Sequence, residues 1–230
     1  MQAKLENIPF KLDRDALAKS LRIDPGSDDF REFENLIGEA VLVARPKALY
    51  RECFVSGRQK NAITIEHVDF VSRALSLKLA GVERVFAYVA TCGRELDGIE
   101  IAADDFVKKY WLDGIKQSLL AASLDFLNAG LKRVFRLGNT VSMNPGSGDA
   151  SIWPIEQQAQ LFSLFGDVES LIGVRLTDTC LMIPNKSVSG IRFETEANFT
   201  SCQLCRRGNC AGRKAPFDPA LWEIVSPGHS

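Results

Sequence analysis

Histidine is nearly missing from this chain: of 230 residues only two, His67 and His229, are histidines. A hydrolase triad needs an imidazole held beside a nucleophile, so that class is excluded. Long apolar runs are missing too, and none approaches the ~20 residues that span a bilayer. Met1 to Phe10 carries Lys4 and Glu6 and lacks an apolar stretch of signal-peptide length, which reads as a cytoplasmic protein. There is no surplus of one charge: 28 Lys and Arg stand against 29 Asp and Glu, for a net charge of −1. Nothing global therefore points to nucleic acid or an anionic membrane as a partner. Neither an internal repeat nor a low-complexity tract is visible. No Gly-Lys-Ser/Thr follows the glycine-rich stretch near residue 146, so it is not a phosphate loop.

The composition is that of an ordinary globular protein, 46% hydrophobic and 25% charged, long enough to bury a sizeable core. Six cysteines in a cytosolic setting favour free thiols, metal or redox chemistry over disulfides. Asn198-Phe199-Thr200 fits a glycosylation sequon, but without a secretory signal it is a chance match. His67 reads as a solvated or capping residue near a helix start, and His229 as part of a frayed tail. Cys53 and Cys92 read as buried small apolar groups.

Periodicity places a helix over Asp28 to Ala44, capped by Ser27, with Phe30, Phe33, Ile37, Ala40 and Ala44 on one face and Pro46 as its stop. A second helix is expected from a Thr64 cap through Val68, Val71, Leu75 and Leu79, closed by Gly81. Val82 to Ala90 reads as a strand that is apolar on both faces and therefore covered on both sides. Asp104 and Asp105 open a long helix through Trp111, Ile115, Leu119 and Leu127, closed by Gly130. Acidic residues at its start and Lys132 and Arg133 beyond its end suit the helix dipole.

Beyond the turn-rich loop Asn144 to Asp149, Pro154 suits the first position of a helix carrying Ile155, Ala159, Phe162 and Phe165, stopped by Gly166. Val174 to Ile183 reads as a strand, Pro184-Asn185-Lys186 as a turn and Ser187 to Phe193 as its hairpin partner. The pattern is α+β: a helical region over 1–80, an α+β core over 81–196 and a cysteine-rich tail over 197–230, within one compact domain.

Cys202-x2-Cys205-x4-Cys210 places three thiols within nine residues, and closing so short a loop costs little entropy. Arg206, Arg207, Arg213 and Lys214 crowd them, which favours the ligating thiolate. Four thiolates suit zinc or an iron–sulfur cluster; Cys180 is the candidate fourth ligand, with Cys92 or an external ligand as alternatives. The plainer reading is three reduced surface cysteines or a local disulfide.

The segments Asn144-Pro145-Gly146-Ser147-Gly148-Asp149, Trp153-Pro154-Ile155-Glu156-Gln157-Gln158 and Leu161-Phe162-Ser163-Leu164 stand in a fixed order. They continue through Ile172 to Thr179 and Met182 to Gly190. This ordered series resembles the reactivation domain of cobalamin-dependent methionine synthase, most closely its small free-standing relatives, some with a similar cysteine tail. Asp104 to Leu127 is loosely similar to the family's long helix, where an acidic residue such as Asp104 or Asp105 would face the ligand.

The resemblance implies a C-shaped α+β domain with long helices and a bent antiparallel sheet. It implies that S-adenosylmethionine binds through Ser142, Asn144, Pro145, Gly146, Ser147, Gly148, Lys186, Ser187 and Ser189, and that the domain packs over the cobalamin of a partner. When cob(I)alamin is accidentally oxidised to cob(II)alamin, one electron and a methyl group restore methylcobalamin. Nearly irreversible methyl transfer then drains the small reduced population.

No corrinoid module is visible in this chain, so the implied partner is a separate corrinoid-dependent methyltransferase, served by an electron donor protein. Where the family has an Arg three residues before Pro-Gly and a Tyr directly after, this chain has Ser142 and Ser147, and Ala150-Ser151-Ile152 is inserted. A guanidinium restored at position 142 would be expected to grip the ligand's carboxylate. The rival readings are a metal or iron–sulfur electron-transfer module without S-adenosylmethionine, and a structural subunit of the same methyltransferase.

Overall fold

The computed structural model describes residues 1–196, 200–210 and 213–226. Asn198 of the sequon and His229 lie outside the described residues, as do parts of the cysteine-rich tail. The chain forms β1 (Gln2–Leu5), α1 (Arg14–Leu21), α2 (Asp28–Val43), β2 (Lys47–Arg58), β3 (Ala62–Ile65), β4 (Val68–Val71), α3 (Arg73–Lys78) and β5 (Arg84–Thr91). It continues with α4 (Phe106–Phe135), β6 (Thr140–Met143), α5 (Gln158–Ser163), α6 (Val168–Ile172), β7 (Arg175–Leu176), β8 (Met182–Ile183), β9 (Ser187–Glu194) and α7 (Pro219–Val225).

Seven strands make one antiparallel sheet in the order β4-β3-β2-β5-β9-β6, with β1 also on β2. The length of β2 explains the bend. Its first part, Ala48 to Arg51, pairs with β1, and its last part, Val55 to Arg58, pairs with β3 after a register shift between Val55 and Gly57. A bulge of this kind kinks a strand and re-aims the residues beyond it, so the β3–β4 hairpin leaves the plane of the main sheet. The expected bent antiparallel sheet is present.

β5 lies at the centre and sorts the core into two layers. Val85, Ala87 and Val89 are buried on one face, together with Leu75, Trp153, Leu161 and Ile172. Phe86, Tyr88 and Ala90 are buried on the other, under Phe33, Trp111, Ile115 and Leu127. Strict alternation with both faces apolar requires a cover on each side.

The cover on the second face is α4, 30 residues long and so about 45 Å. Asp105 caps it by accepting from the Lys108 N–H at 2.9 Å. It runs past Gly130 and stops only where Arg136 turns left-handed at φ 53°; a glycine inside a helix is a modest cost when Leu131 beside it is buried. α2 takes its expected course, capped by Ser27. No helix among the described residues is long and apolar enough to cross a membrane.

Three expectations fail for identifiable reasons. The region 1–80, expected to be helical, holds three helices and four strands. Within it the expected helix from Thr64 is the β3–β4 hairpin and then α3, capped by Ser72. Ile63, Ile65 and Phe70 bury on a period of two while Val71 is 63% exposed.

Third, Val174 to Ile183 is not one strand. The chain folds back between β7 and β8, where the Thr177 N–H donates to the Leu181 carbonyl at 2.8 Å and Cys180 sits at φ 60°. β9 pairs with β5 and β6 instead. Pro154 stands just ahead of a short 3₁₀ turn, Ile155–Gln157, that leads into α5.

Candidate ligand-binding site

The loop after β6 is held against β9 by backbone-scale fits. Asn144 Nδ2 donates to the Tyr88 hydroxyl and to the Ser189 carbonyl, each at 2.7 Å. This approach needs a residue without a side chain opposite it. A Cβ on Gly190 would lie 2.4 Å from Asn144 Nδ2 and 2.5 Å from the Met143 carbonyl. The loop then turns through Gly146 at φ 72°, whose N–H donates to the Trp153 carbonyl at 2.8 Å.

Across from the loop, α5 presents Gln158. Ser189 Oγ donates to Gln158 Oε1 in a short contact, and Gln158 Nε2 donates to the Cys180 carbonyl at 3.0 Å. One buried amide thus ties β9 to the β7–β8 turn.

Between these elements lies a cavity of about 580 Å³, within the range of small-molecule sites. Its walls are Asn144, Pro145, Gly146 and Ser147 from the loop, Ile155 and Gln158 from the helix start, and Thr177, Leu181, Met182 and Ile183 from the β7–β8 unit. Asn185, Ser187, Val188 and Ser189 complete it. None of these side chains is charged. The site can offer amide and hydroxyl hydrogen bonds and apolar contact, and no ion pair from its walls.

Six of the nine expected binding residues line this cavity: Asn144, Pro145, Gly146, Ser147, Ser187 and Ser189. Three do not. Lys186 Nζ turns to Asp113 of α4 at 2.8 Å. Gly148 faces the tail, where a Cβ on it would lie 3.4 Å from Cys205 Cβ. Ser142 sits opposite Arg192 in the β6–β9 register.

That pairing changes the meaning of the departure at position 142. Arg192 lies 5.9 Å over the Tyr88 ring and donates to Thr140 Oγ1 at 3.0 Å, with its Nε buried and unpaired among the described residues. Burial lowers its pKa. A second guanidinium at position 142 would stand directly opposite this one, and like charges so placed are destabilising. That repulsion opposes the gain expected from an arginine at position 142.

Eight further lining residues were missed as site residues, Gln158, Thr177 and Leu181 among them, although all but Leu181 lie inside the segments that carry the resemblance. Asp104 and Asp105 are not among the residues lining the cavity, and Asp105 serves as the cap of α4.

Among the described residues no three of His, Cys, Asp and Glu are grouped to hold a metal ion. Cys180 Sγ faces the Glu156 carbonyl at 3.7 Å from the β7–β8 turn. Cys210 is exposed, whereas Cys202 and Cys205 are half-buried.

The carbonyls of the tail converge instead on one cation. The Arg213 guanidinium donates to the carbonyls of Cys202 at 3.4 Å, Cys205 and Ala215 at 3.2 Å, and Arg207. A zinc or iron–sulfur site built from Cys202, Cys205, Cys210 and Cys180 does not fit this arrangement. Cys53 and Cys92 are buried, as expected, and burial pushes their thiols up to about 11 and about 12. His67 is exposed in the β3–β4 turn rather than at a helix start.

The fold and the neutral cavity together define an α+β domain with an uncharged cleft between a Pro-Gly loop and a strand edge. No family model matches the sequence, and no curated protein matches it. Among solved structures, the chain is similar to the MetH reactivation domain bound to AdoHcy. The TM-score is 0.57 at 16% sequence identity, covering 87% of this chain and 80% of that one. At that identity the likeness is one of fold, and the fold is that of the reactivation domain.

Proposed function

We propose that this protein is an accessory component of a corrinoid-dependent methyltransferase of the methionine synthase type. In this reading it binds S-adenosylmethionine during reductive reactivation of the partner's cobalamin. The observation that carries the reading is the coincidence of the neutral cavity with the loop and strand that bear the resemblance, within a fold whose solved relative holds AdoHcy.

The cavity suits the adenosyl part of such a ligand. Both N–H groups of the Asn144 amide are engaged by Tyr88 and Ser189, which leaves its Oδ1 to accept from an amino or ribose hydroxyl group. Ser147 and Thr177 add hydroxyls, while Pro145, Ile155, Leu181 and Val188 supply apolar walls for a flat base. Lys186, paired with Asp113, stands beside Asn185 at the rim, where the charged amino-acid end would leave the cavity. S-adenosylmethionine would supply the methyl group, and the partner would supply the corrinoid and receive its electron from a donor protein. The chain's own residues would bind the nucleoside, hold the loop closed and exclude water from it.

Because no wall residue is charged, the sulfonium adds little to affinity. Calorimetry should give similar affinities for S-adenosylmethionine and S-adenosylhomocysteine, within about 1.4 kcal/mol or tenfold, with adenosine retaining part of the binding. Mixed with a cognate corrinoid methyltransferase, a reductant and S-adenosylmethionine, the protein should speed loss of the cob(II)alamin absorption band. Absence of binding by all three adenosyl compounds would sink the reading.

A further inference from the structure

The cysteine tail carries a feature that the ligand cavity does not use. Cys202 lies within a single 3₁₀ turn, Ser201–Leu204, and Cys205 caps its end, where the Cys205 N–H donates to the Cys202 carbonyl at 3.1 Å. In a 3₁₀ turn residues three apart stand over one another. A turn closed in this way brings its end Cα atoms within about 7 Å, and disulfides need about 4.4–6.8 Å. Both thiols are half-buried rather than enclosed.

The surroundings favour thiolate at Cys202. The Lys214 N–H donates to Cys202 Sγ at 3.4 Å, and the Arg213 guanidinium is gathered by the carbonyls of both cysteines. The Lys214 N–H above all holds the Cys202 thiol below its ordinary pKa. The same turn is fastened to the cavity loop. Arg206, the next residue, reaches Asp149 Oδ2 through Nη2 at 2.8 Å and Nε at 3.1 Å. A Cβ on Gly148 would lie 3.4 Å from Cys205 Cβ, and Ser201 Oγ meets the Ser142 carbonyl at 3.5 Å.

We propose that Cys202 and Cys205 form a thiol–disulfide exchange site whose state is passed to the loop 144–149. The co-reactant is a low-molecular-weight disulfide of the glutathione class. The Cys202 thiolate attacks one of its sulfurs, forming a mixed disulfide and expelling one thiolate. Cys205 then loses its proton to solvent and attacks the Cys202 sulfur, expelling the second. Two protein thiols are oxidised to one disulfide as the external disulfide is reduced to two thiols, and an external dithiol reverses the exchange. Closing the bridge moves Cys205 relative to Gly148 and so resets the loop.

The full-length reduced protein, equilibrated in oxidised and reduced glutathione under anaerobic conditions, tests this without any adenosyl ligand. Peptide mass mapping should show loss of two hydrogens with Cys202 linked to Cys205. The link should vanish in Cys202→Ser and Cys205→Ser and persist in Cys210→Ser. In the wild type, Cys202 should alkylate faster than Cys210 at neutral pH. Hydrogen exchange over 144–149 should differ between the two states. A link through Cys210, or a stable glutathione adduct without ring closure, would overturn the assignment. Unchanged exchange in the loop after the bridge forms would overturn the coupling.

Discussion

Gly190 shows how one residue without a side chain can decide the geometry of the cavity. In an ordinary strand, Gly→Ala gains about 0.5–1 kcal/mol through lower unfolded-state entropy. Here the new Cβ would land 2.4 Å from Asn144 Nδ2 and 2.5 Å from a backbone carbonyl, and a carbonyl cannot swing aside. Overpacking of this kind costs about 1–3 kcal/mol, so the sign reverses. Gly190→Ala should lower the denaturation midpoint and abolish binding of S-adenosylhomocysteine by calorimetry; an unchanged midpoint would mean the loop can lift freely.

Asp149 is the matching electrostatic case. The Ser151 hydroxyl at 2.6 Å, then the Arg206 guanidinium, hold its carboxyl below the ordinary value. A depressed pKa contributes stability that is present above the unfolded value, near 3.9, and lost as pH falls through the folded one. The tie between loop and tail should therefore loosen at the acid end of the carboxylate range. Arg206 also lies 4.4 Å from the Trp222 ring, so a change in Trp222 fluorescence should accompany that titration and be absent in Asp149→Asn. At this scale the Pro-Gly loop and the serines of β9 were legible because an ordered series of short motifs carried them. Arg192 was not, because its importance comes from facing Ser142 across two strands some fifty residues apart in sequence.

At the level of elements, one edge of the sheet is partly covered by a side chain. Gln157 uses both ends of its amide: Val71 N–H donates to its Oε1 at 2.8 Å, and its Nε2 donates to the Val71 carbonyl at 2.7 Å. It copies one rung of a strand ladder on β4, an edge that would otherwise offer unpaired backbone groups. Gln157→Leu keeps the volume and removes both partners, so it should cost about 1–3 kcal/mol. Faster hydrogen exchange at Val71 should accompany the loss, and protection equal to wild type would show that water replaces the amide at no cost.

The same edge was hardest to read in the sequence. The Glu66-His67 turn lacks the Asn-Gly or Asp-Gly signal of a two-residue hairpin loop, and Glu66 takes the positive φ of 56° without glycine. With the turn hidden, the apolar residues from Val68 to Leu79 fit a helical period well enough to mislead. The strand β5 and the helix α4 were legible for the opposite reason. Each buries a long apolar set, and local pattern and tertiary burial agree.

The whole molecule is organised by a sheet shared between two cores, which bears on the division into helical region, α+β core and tail. Trp111 lies in the layer under α4, edge-on to Phe33 at 5.9 Å. Trp153 lies in the opposite layer, edge-on to Phe70 at 5.9 Å. Val225 of α7 and Leu204 of the tail are buried in that second layer as well. The two layers share one wall, since β2, β5 and β9 close both.

Losing one layer would expose the apolar far face of those strands to water, at about 25 cal/mol per Å². Separate melting of the layers is therefore disfavoured, and the chain should unfold in one transition. Variants that retain a single tryptophan, with the others changed to Phe, isolate each reporter. Trp111-only and Trp153-only proteins, each compared with its own far-ultraviolet circular dichroism, should show coincident urea midpoints for the two probes. Trp222 of α7, packed beside Phe217, should join that transition at neutral pH and leave it early at acid pH, where Asp149 releases Arg206. If the Trp153 signal were lost at lower urea than the dichroism while Trp111 kept pace with it, the cavity-side layer would be a separable unit. The shared-sheet account would then fail.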